Sequence, residues 1–258
     1  MTTSKKLLPN RKLALVTGAG KRIGREIALE LASNGYDLAI HCNASRVEAD
    51  ALRAQLHAAG HRAEVFAADL ANQAAVAALI PQIAAAMGPL SLLVNCASMF
   101  EFDEMGQLGT EIWQRHMVVN LEAPVFLAQS FAAQAPEGGS VVNIIDQRVW
   151  KLTPQFFSYT LSKAALWTAT QTMAQALAPR VRVNAVGPGP TLPSVRQQQA
   201  DFDAQVSMIP LKQAASPHDI AEAVLYLARA QSVTGQMIAV DGGQHLAWRT
   251  PDVISGAE

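Results

Sequence analysis

The sequence predicts a single α/β domain: a doubly wound parallel sheet of about seven strands flanked by helices. Three observations carry this. Short apolar runs alternate with longer helical patterns from one end of the chain to the other. Several of those runs are apolar at successive positions, as strands covered on both faces are. A glycine-rich turn directly follows the first run. Strand, helix and strand at this spacing form a right-handed parallel crossover, and repeating that unit builds an open α/β sheet.

The strand candidates are LALVT at 13–17, LAIHC at 38–42, AEVFAA at 63–68, SLLVN at 91–95, SVVNII at 140–145, VRVNAV at 181–186 and QMIAV at 236–240. Between the first two, Ile23, Ile27 and Leu31 recur every four residues on one helical face, and Asn34-Gly35 supplies the stop. Further helical patterns cover 46–59, 72–87, 121–134, 156–178 and 217–229. The stretch 187–212 breaks the rhythm, with three prolines in its first seven residues and no clear period. It reads as an irregular substrate loop at a strand end. Residues 1–11 read as a flexible tail.

Composition fits one domain over 1–258. Half of the residues are hydrophobic and 16% are charged, enough to bury a large core. Lys and Arg number 20 against 21 Asp and Glu, with no block of like charge, so a nucleic-acid footprint is not expected. No run approaches the ~18 apolar residues of a spanning helix, and the opening segment lacks the apolar centre of a secretory signal. The chain reads as soluble and cytoplasmic, without a membrane partner. Cys42 and Cys96 have neither metal-ligand nor redox-pair spacing and read as reduced thiols; no metal site is expected.

Two motifs carry chemistry. Thr17-Gly18-Ala19-Gly20-Lys21-Arg22-Ile23-Gly24 stands between the first strand and its helix. Glycines there let the backbone approach a pyrophosphate, and the helix N-terminus offers free N–H groups to it, the Rossmann-type arrangement for a dinucleotide. Tyr159 and Lys163 lie four residues apart on one helical face. A free tyrosine ionises at about pH 10; a neighbouring ammonium favours its anion and fits it for proton transfer.

In this order, from Leu13 to Leu246, the motifs resemble the short-chain dehydrogenase/reductase family. The family's loop usually reads T-G-x-x-x-G-x-G; here Arg22 replaces the middle glycine, which resembles the T-G-x-x-K-R-x-G loop of pteridine reductases. The resemblance implies cofactor contacts from Gly18, Lys21, Arg22, Ile23 and Gly24. It adds Asp69 and Leu70 near the adenine, and Asn95, Ala97 and Ser98 in a variant of the family's N-N-A-G motif. Pro188 and Gly189 would face the nicotinamide, with Thr191 beside them. At the end of the second strand, His41, Asn43, Ser45 and Arg46 come with no carboxylate before Glu48. An acid there would repel a 2′-phosphate, whereas Asn43, Ser45 and Arg46 can donate to one. The expected cofactor is therefore NADP(H).

The family also places Asn120 in the proton relay and Lys163 on the nicotinamide ribose. Where it has a serine that hydrogen-bonds a substrate carbonyl, thirteen residues before Tyr159, this chain has Asp146. An ionised carboxylate cannot donate a hydrogen bond, so Asp146 suits a nitrogen heterocycle with N–H donors better than a ketone. Pteridine reductases resemble the chain here as well. The resemblance then implies a small pteridine substrate, held by Arg22, Ser98, Asp146 and Tyr159 and stacked on Phe100, with Met99, Trp150 and Leu192 as further walls. It also implies a homotetramer and a structural Asp241-Gly242-Gly243 turn. Two other readings stay open at this point: a carbonyl or β-ketoacyl reductase of the same family, and an NADP(H)-binding regulatory protein without turnover.

Overall fold

The structure, a computed structural model, describes residues 12–193 and 196–248. The tail expected at 1–11 lies outside them. Seven strands form one sheet: β1 (Lys12–Val16), β2 (Tyr36–Cys42), β3 (Ala63–Ala67), β4 (Leu92–Asn95), β5 (Gly139–Ile144), β6 (Val181–Pro188) and β7 (Met237–Val240). Their order is β3-β2-β1-β4-β5-β6-β7, and every pairing is parallel. The order reverses between β1 and β4, and open α/β sheets bind ligands in the crevice beyond the strand C-termini at that point.

Among the described residues eight α-helices join the strands: α1 (Arg22–Ser33), α2 (Arg46–Ala58), α3 (Gln73–Met87), α4 (Thr110–Met117), α5 (Ala123–Gln134), α6 (Phe157–Leu177), α7 (Gln199–Ser207) and α8 (Pro217–Arg229). Alternation along each strand divides the core. Ala14 and Val16 of β1 and Leu38 and Ile40 of β2 face Ile27 and Leu31 of α1 and Val224 and Leu227 of α8. Leu13 and Leu15 face the other side, with Leu79 and Ile83 of α3 and Leu127 and Phe131 of α5. Burial on both faces explains the continuous apolar runs.

The structure departs from the sequence expectation in two places. The 187–212 stretch is not wholly irregular: β6 runs to Pro188 and α7 occupies Gln199–Ser207. Only Phe202 of α7 is buried, so the helix has no apolar stripe to announce it. The helix expected at 121–134 is preceded by α4 and a π-helical turn, Val118–Glu122. Among the described residues no helix is long and apolar enough to cross a membrane.

Candidate active site

A groove of about 1460 Å³ lies along the C-terminal edge of the strands, running from the glycine-rich turn past β5 to the segment after β6. Its phosphate end is built on close backbone packing. Thr17 accepts from the Cys96 and Ala97 N–H groups at 2.9 and 3.0 Å, tying the end of β1 to the end of β4. Gly18 has φ +68°, and a Cβ on Gly24 would stand 2.4 Å from the Gly18 carbonyl oxygen, so both positions need glycine. His41 wedges this loop: its Nδ1 accepts from the Gly18 N–H at 3.1 Å and its Nε2 donates to the Ala68 carbonyl at 3.0 Å. Burial lowers its pKa, consistent with the neutral ring that this pattern requires.

Arg22 adopts φ +53°, a left-handed conformation costly for a side-chain-bearing residue. This is the position where the family has glycine. Its guanidinium donates to the Leu192 and Pro193 carbonyls at 3.2 and 3.1 Å, bridging the phosphate loop and the segment after β6. Lys21 pairs with Glu48 at 2.6 Å.

At the other end, β5 delivers Asp146 and the first turns of α6 deliver Tyr159 and Lys163. Tyr159 donates to Asp146 Oδ2 at 3.0 Å, and Asp146 Oδ1 accepts from the Arg148 N–H at 2.8 Å. Lys163 donates to the Ile144 carbonyl at 2.8 Å, with its ammonium 5.8 Å from the Tyr159 ring centre. All three are enclosed, and their ionisation follows from that. Burial raises the Asp146 carboxyl, opposed by the charge and N–H of Arg148. Burial and then the Asp146 charge hold the Tyr159 phenol well above its ordinary value. Burial brings the Lys163 ammonium down to about 8. Near neutral pH the tyrosine is thus a protonated donor and the lysine a cation. Burial pushes the Cys96 thiol up to about 12, so it carries no charge there.

Of the catalytic and cofactor-binding residues expected from sequence, three do not line the groove. Arg46 turns to Asp50 at 2.8 Å, an i,i+4 pair at the start of α2, rather than toward a 2′-phosphate; Asn43 and Ser45 remain at that position. Asn95 is buried and donates to Asn143 Oδ1 at 2.9 Å, linking β4 to β5 beneath the groove. Asn120 is fully buried in the π turn. Its carbonyl accepts from the Met99 N–H and Ser98 hydroxyl, and its amino group donates to the Met99 carbonyl and Ser162 hydroxyl. All four of its hydrogen-bonding positions are taken. The side chain therefore fixes the Ser98-Met99 turn and cannot itself hold a relay water.

Phe100 does line the groove but has protein partners. It stacks on Phe156 at 4.3 Å and 11°, and meets the Tyr159 ring edge-on at 4.7 Å. Met99 and Leu192 form walls as expected, whereas Trp150 lies outside, against Trp167 and His245. Asp241 accepts from the Gly243 and His245 N–H groups, the structural turn expected there.

Sequence reasoning missed a buried relay behind this wall. Ser158 donates to Asp103, His116 donates to the Ser158 hydroxyl at 2.7 Å, and His116 Nε2 accepts from the Glu101 N–H at 3.1 Å. The serine donates to the acid rather than to the histidine, which is wrong for a nucleophile. The relay instead clamps the Phe100–Asp103 segment to the N-terminus of α6, one residue before Tyr159. Arg196 was also missed; it donates to the Phe100 carbonyl and pairs with Glu101 across the groove mouth.

A phosphate-type loop at the reversal of a parallel sheet, opening onto a tyrosine and lysine one helical turn apart, defines a class of oxidoreductases that move a hydride and a proton together. Residues 18–245 match a family model described as enoyl-(acyl carrier protein) reductase, and the chain belongs to the short-chain dehydrogenase/reductase family. Among solved structures it is similar to FolM alternative dihydrofolate reductase 1 from Brucella canis complexed with NADP. The identity is 52% and the TM-score 0.91, over 94% of this chain and 97% of that one. Among curated proteins it is 35% identical to an uncharacterized oxidoreductase of Mycobacterium tuberculosis, over 90% of this chain and 91% of the relative. It is also 31% identical to a 3-oxoacyl-[acyl-carrier-protein] reductase of Staphylococcus epidermidis, over 91% and 99%.

Proposed function

We propose that the chain is an NADPH-dependent reductase of a dihydropterin, such as dihydrobiopterin, dihydromonapterin or dihydrofolate, working in the cytoplasm. The observation that carries this reading is the 3.0 Å contact from Tyr159 to Asp146. An acceptor stands where a ketone reductase presents a hydroxyl donor, and it faces a phenol held in its protonated form. The similarity to the Brucella canis dihydrofolate reductase supports the same reading.

The cofactor end fits NADP(H). Gly18, Lys21, Arg22, Ile23 and Gly24 line the groove, Lys21 and Arg22 bring positive charge, and no carboxylate occupies Asn43-Ala44-Ser45. Bound NADPH supplies the hydride to a ring carbon of the pterin. Tyr159 gives its phenolic proton to the adjacent ring nitrogen. Asp146 accepts an N–H of the heterocycle and fixes its tilt, and the Lys163 cation stabilises the tyrosinate left behind. The pterin stacks on Phe100 by taking the place of Phe156 or by using the opposite face of the ring. A homotetramer would cover Phe126 of α5 and Leu161 of α6, both exposed in the single chain.

The 3-oxoacyl reductase relative favours a second reading, reduction of a carrier-bound β-ketone; Asp146 argues against it. Purified protein with NADPH, tested on several dihydropterins, on small ketones and on a β-ketoacyl thioester, separates the two. Dihydropterin turnover well above the others is expected. Turnover of ketones or the thioester alone would overturn the proposal.

A further inference from the structure

We infer that Gln147 determines substrate specificity, its side-chain carbonyl accepting an N–H of the bound heterocycle beside Asp146. The inference rests on the dihydropterin reading and names the second contact that orients the ring.

Gln147 is 6% exposed, and its Oε1 is buried without a hydrogen-bond partner. Native proteins rarely leave such an oxygen unpaired, and where they do a ligand or water commonly completes it. The residue lines the groove. It follows Asp146 directly and begins a 3₁₀ turn, Gln147–Val149, which Asp146 caps by accepting from the Arg148 N–H. Its backbone is therefore fixed against the acid rather than free to relax.

The chemistry of the pair selects the ligand. Asp146 Oδ2, which accepts from Tyr159, and Gln147 Oε1 set two acceptors on consecutive residues, and the second has no donor among the described residues. A ketone or thioester offers none. A 2-amino-4-oxo nitrogen heterocycle offers two side by side, the exocyclic amino group and the ring N–H. Next along the chain, Arg148 also lines the groove, and its Nε, a buried donor without a partner among the described residues, suits the ring carbonyl at the end of the same edge. Acceptor, acceptor and donor in sequence match amino, ring N–H and carbonyl.

The test compares the wild-type enzyme with Gln147→Leu and Gln147→Glu, measuring kcat and KM for a dihydropterin, NADPH affinity and the melting temperature. Leu keeps the bulk and removes the acceptor; Glu keeps an acceptor oxygen at the same reach. The expected result is a KM for the dihydropterin raised about tenfold or more in Gln147→Leu. NADPH affinity should be unaltered, and Gln147→Glu should restore the KM to within about threefold of wild type. An unchanged KM in Gln147→Leu overturns the inference. So does a parallel loss of NADPH affinity and melting temperature in Gln147→Leu, which marks a packing role, or a Gln147→Glu variant no better than Leu. A wild-type enzyme that turns over no dihydropterin sinks the functional reading and this inference together. An active wild type with an indifferent Gln147 sinks this inference alone.

Discussion

Replacing Asp146 with serine reverses the polarity of the group facing Tyr159, and its effect divides into two parts of opposite sign. The phenol oxygen stands 3.0 Å from Asp146 Oδ2. At an effective dielectric of about 20, a unit charge that close opposes the tyrosinate by about 5.5 kcal/mol before solvent screening. Even a third of this, about 1.5–2 kcal/mol, brings the tyrosine down by more than about one pH unit. The dihydropterin meanwhile loses a charged acceptor contributing about 1.5–3 kcal/mol, or about 10- to 150-fold in kcat/KM. Asp146→Ser should therefore lower dihydropterin reduction by about 10- to 150-fold while raising the initially low turnover of a small ketone, for which serine supplies the missing donor. Oxidation of NADPH followed by absorbance with each substrate gives both rates, and ultraviolet difference titration of Asp146→Ser against Asp146→Ser/Tyr159→Phe gives the phenol's ionisation. Undiminished dihydropterin turnover, or a tyrosine that ionises no earlier than in the wild type, would refute the reasoning.

Lys163 sets a basic limit. Its ammonium is brought down to about 8 by burial, below the ordinary lysine range, so kcat should fall as the cation is lost above about pH 8. Folding stability should move the other way: from about 8 up to the ordinary lysine value the unfolded chain binds the extra proton, so this group's contribution to stability rises with pH. A pH–rate profile and melting curves over the same range check both signs, and Lys163→Met should abolish the limb near 8. Gly24→Ala would put a Cβ 2.4 Å from the Gly18 carbonyl oxygen; the forced backbone shift should cost about 1–3 kcal/mol of stability and weaken NADPH binding at least tenfold, read by melting and by titration.

The central strands were legible because they are buried on both faces, so runs such as SLLVN and SVVNII stand out as apolar. The helices α1 and α8 were legible from their single apolar faces. What escaped had no such pattern. In α7 only Phe202 is buried, and in α4 the one buried residue is the polar His116. The helix that carries Tyr159 and Lys163 was visible through their spacing, and Asp146 through its register to them. The roles of Asn95 and Asn120 were not, because an amide reads the same in sequence whether it faces a ligand or, as here, other buried polar groups. Arg46 fell to local chemistry: Asp50, one helical turn on, is a nearer partner than anything across the groove. The Asp103–Ser158–His116 relay joins residues far apart in the chain, and nothing in their spacing announces it.

Arg22 gives the two ends of the groove a common dependence. The carbonyls of Leu192 and Pro193 draw on the same guanidinium that an anion at the phosphate loop would draw on. Farther along that segment, Arg196 grips the Phe100 carbonyl on the substrate side. An anion at the loop and a ligand beside Phe100 would thus each meet a guanidinium already engaged with backbone carbonyls. The left-handed Arg22, expensive as a conformation, is thereby held by the segment it bridges.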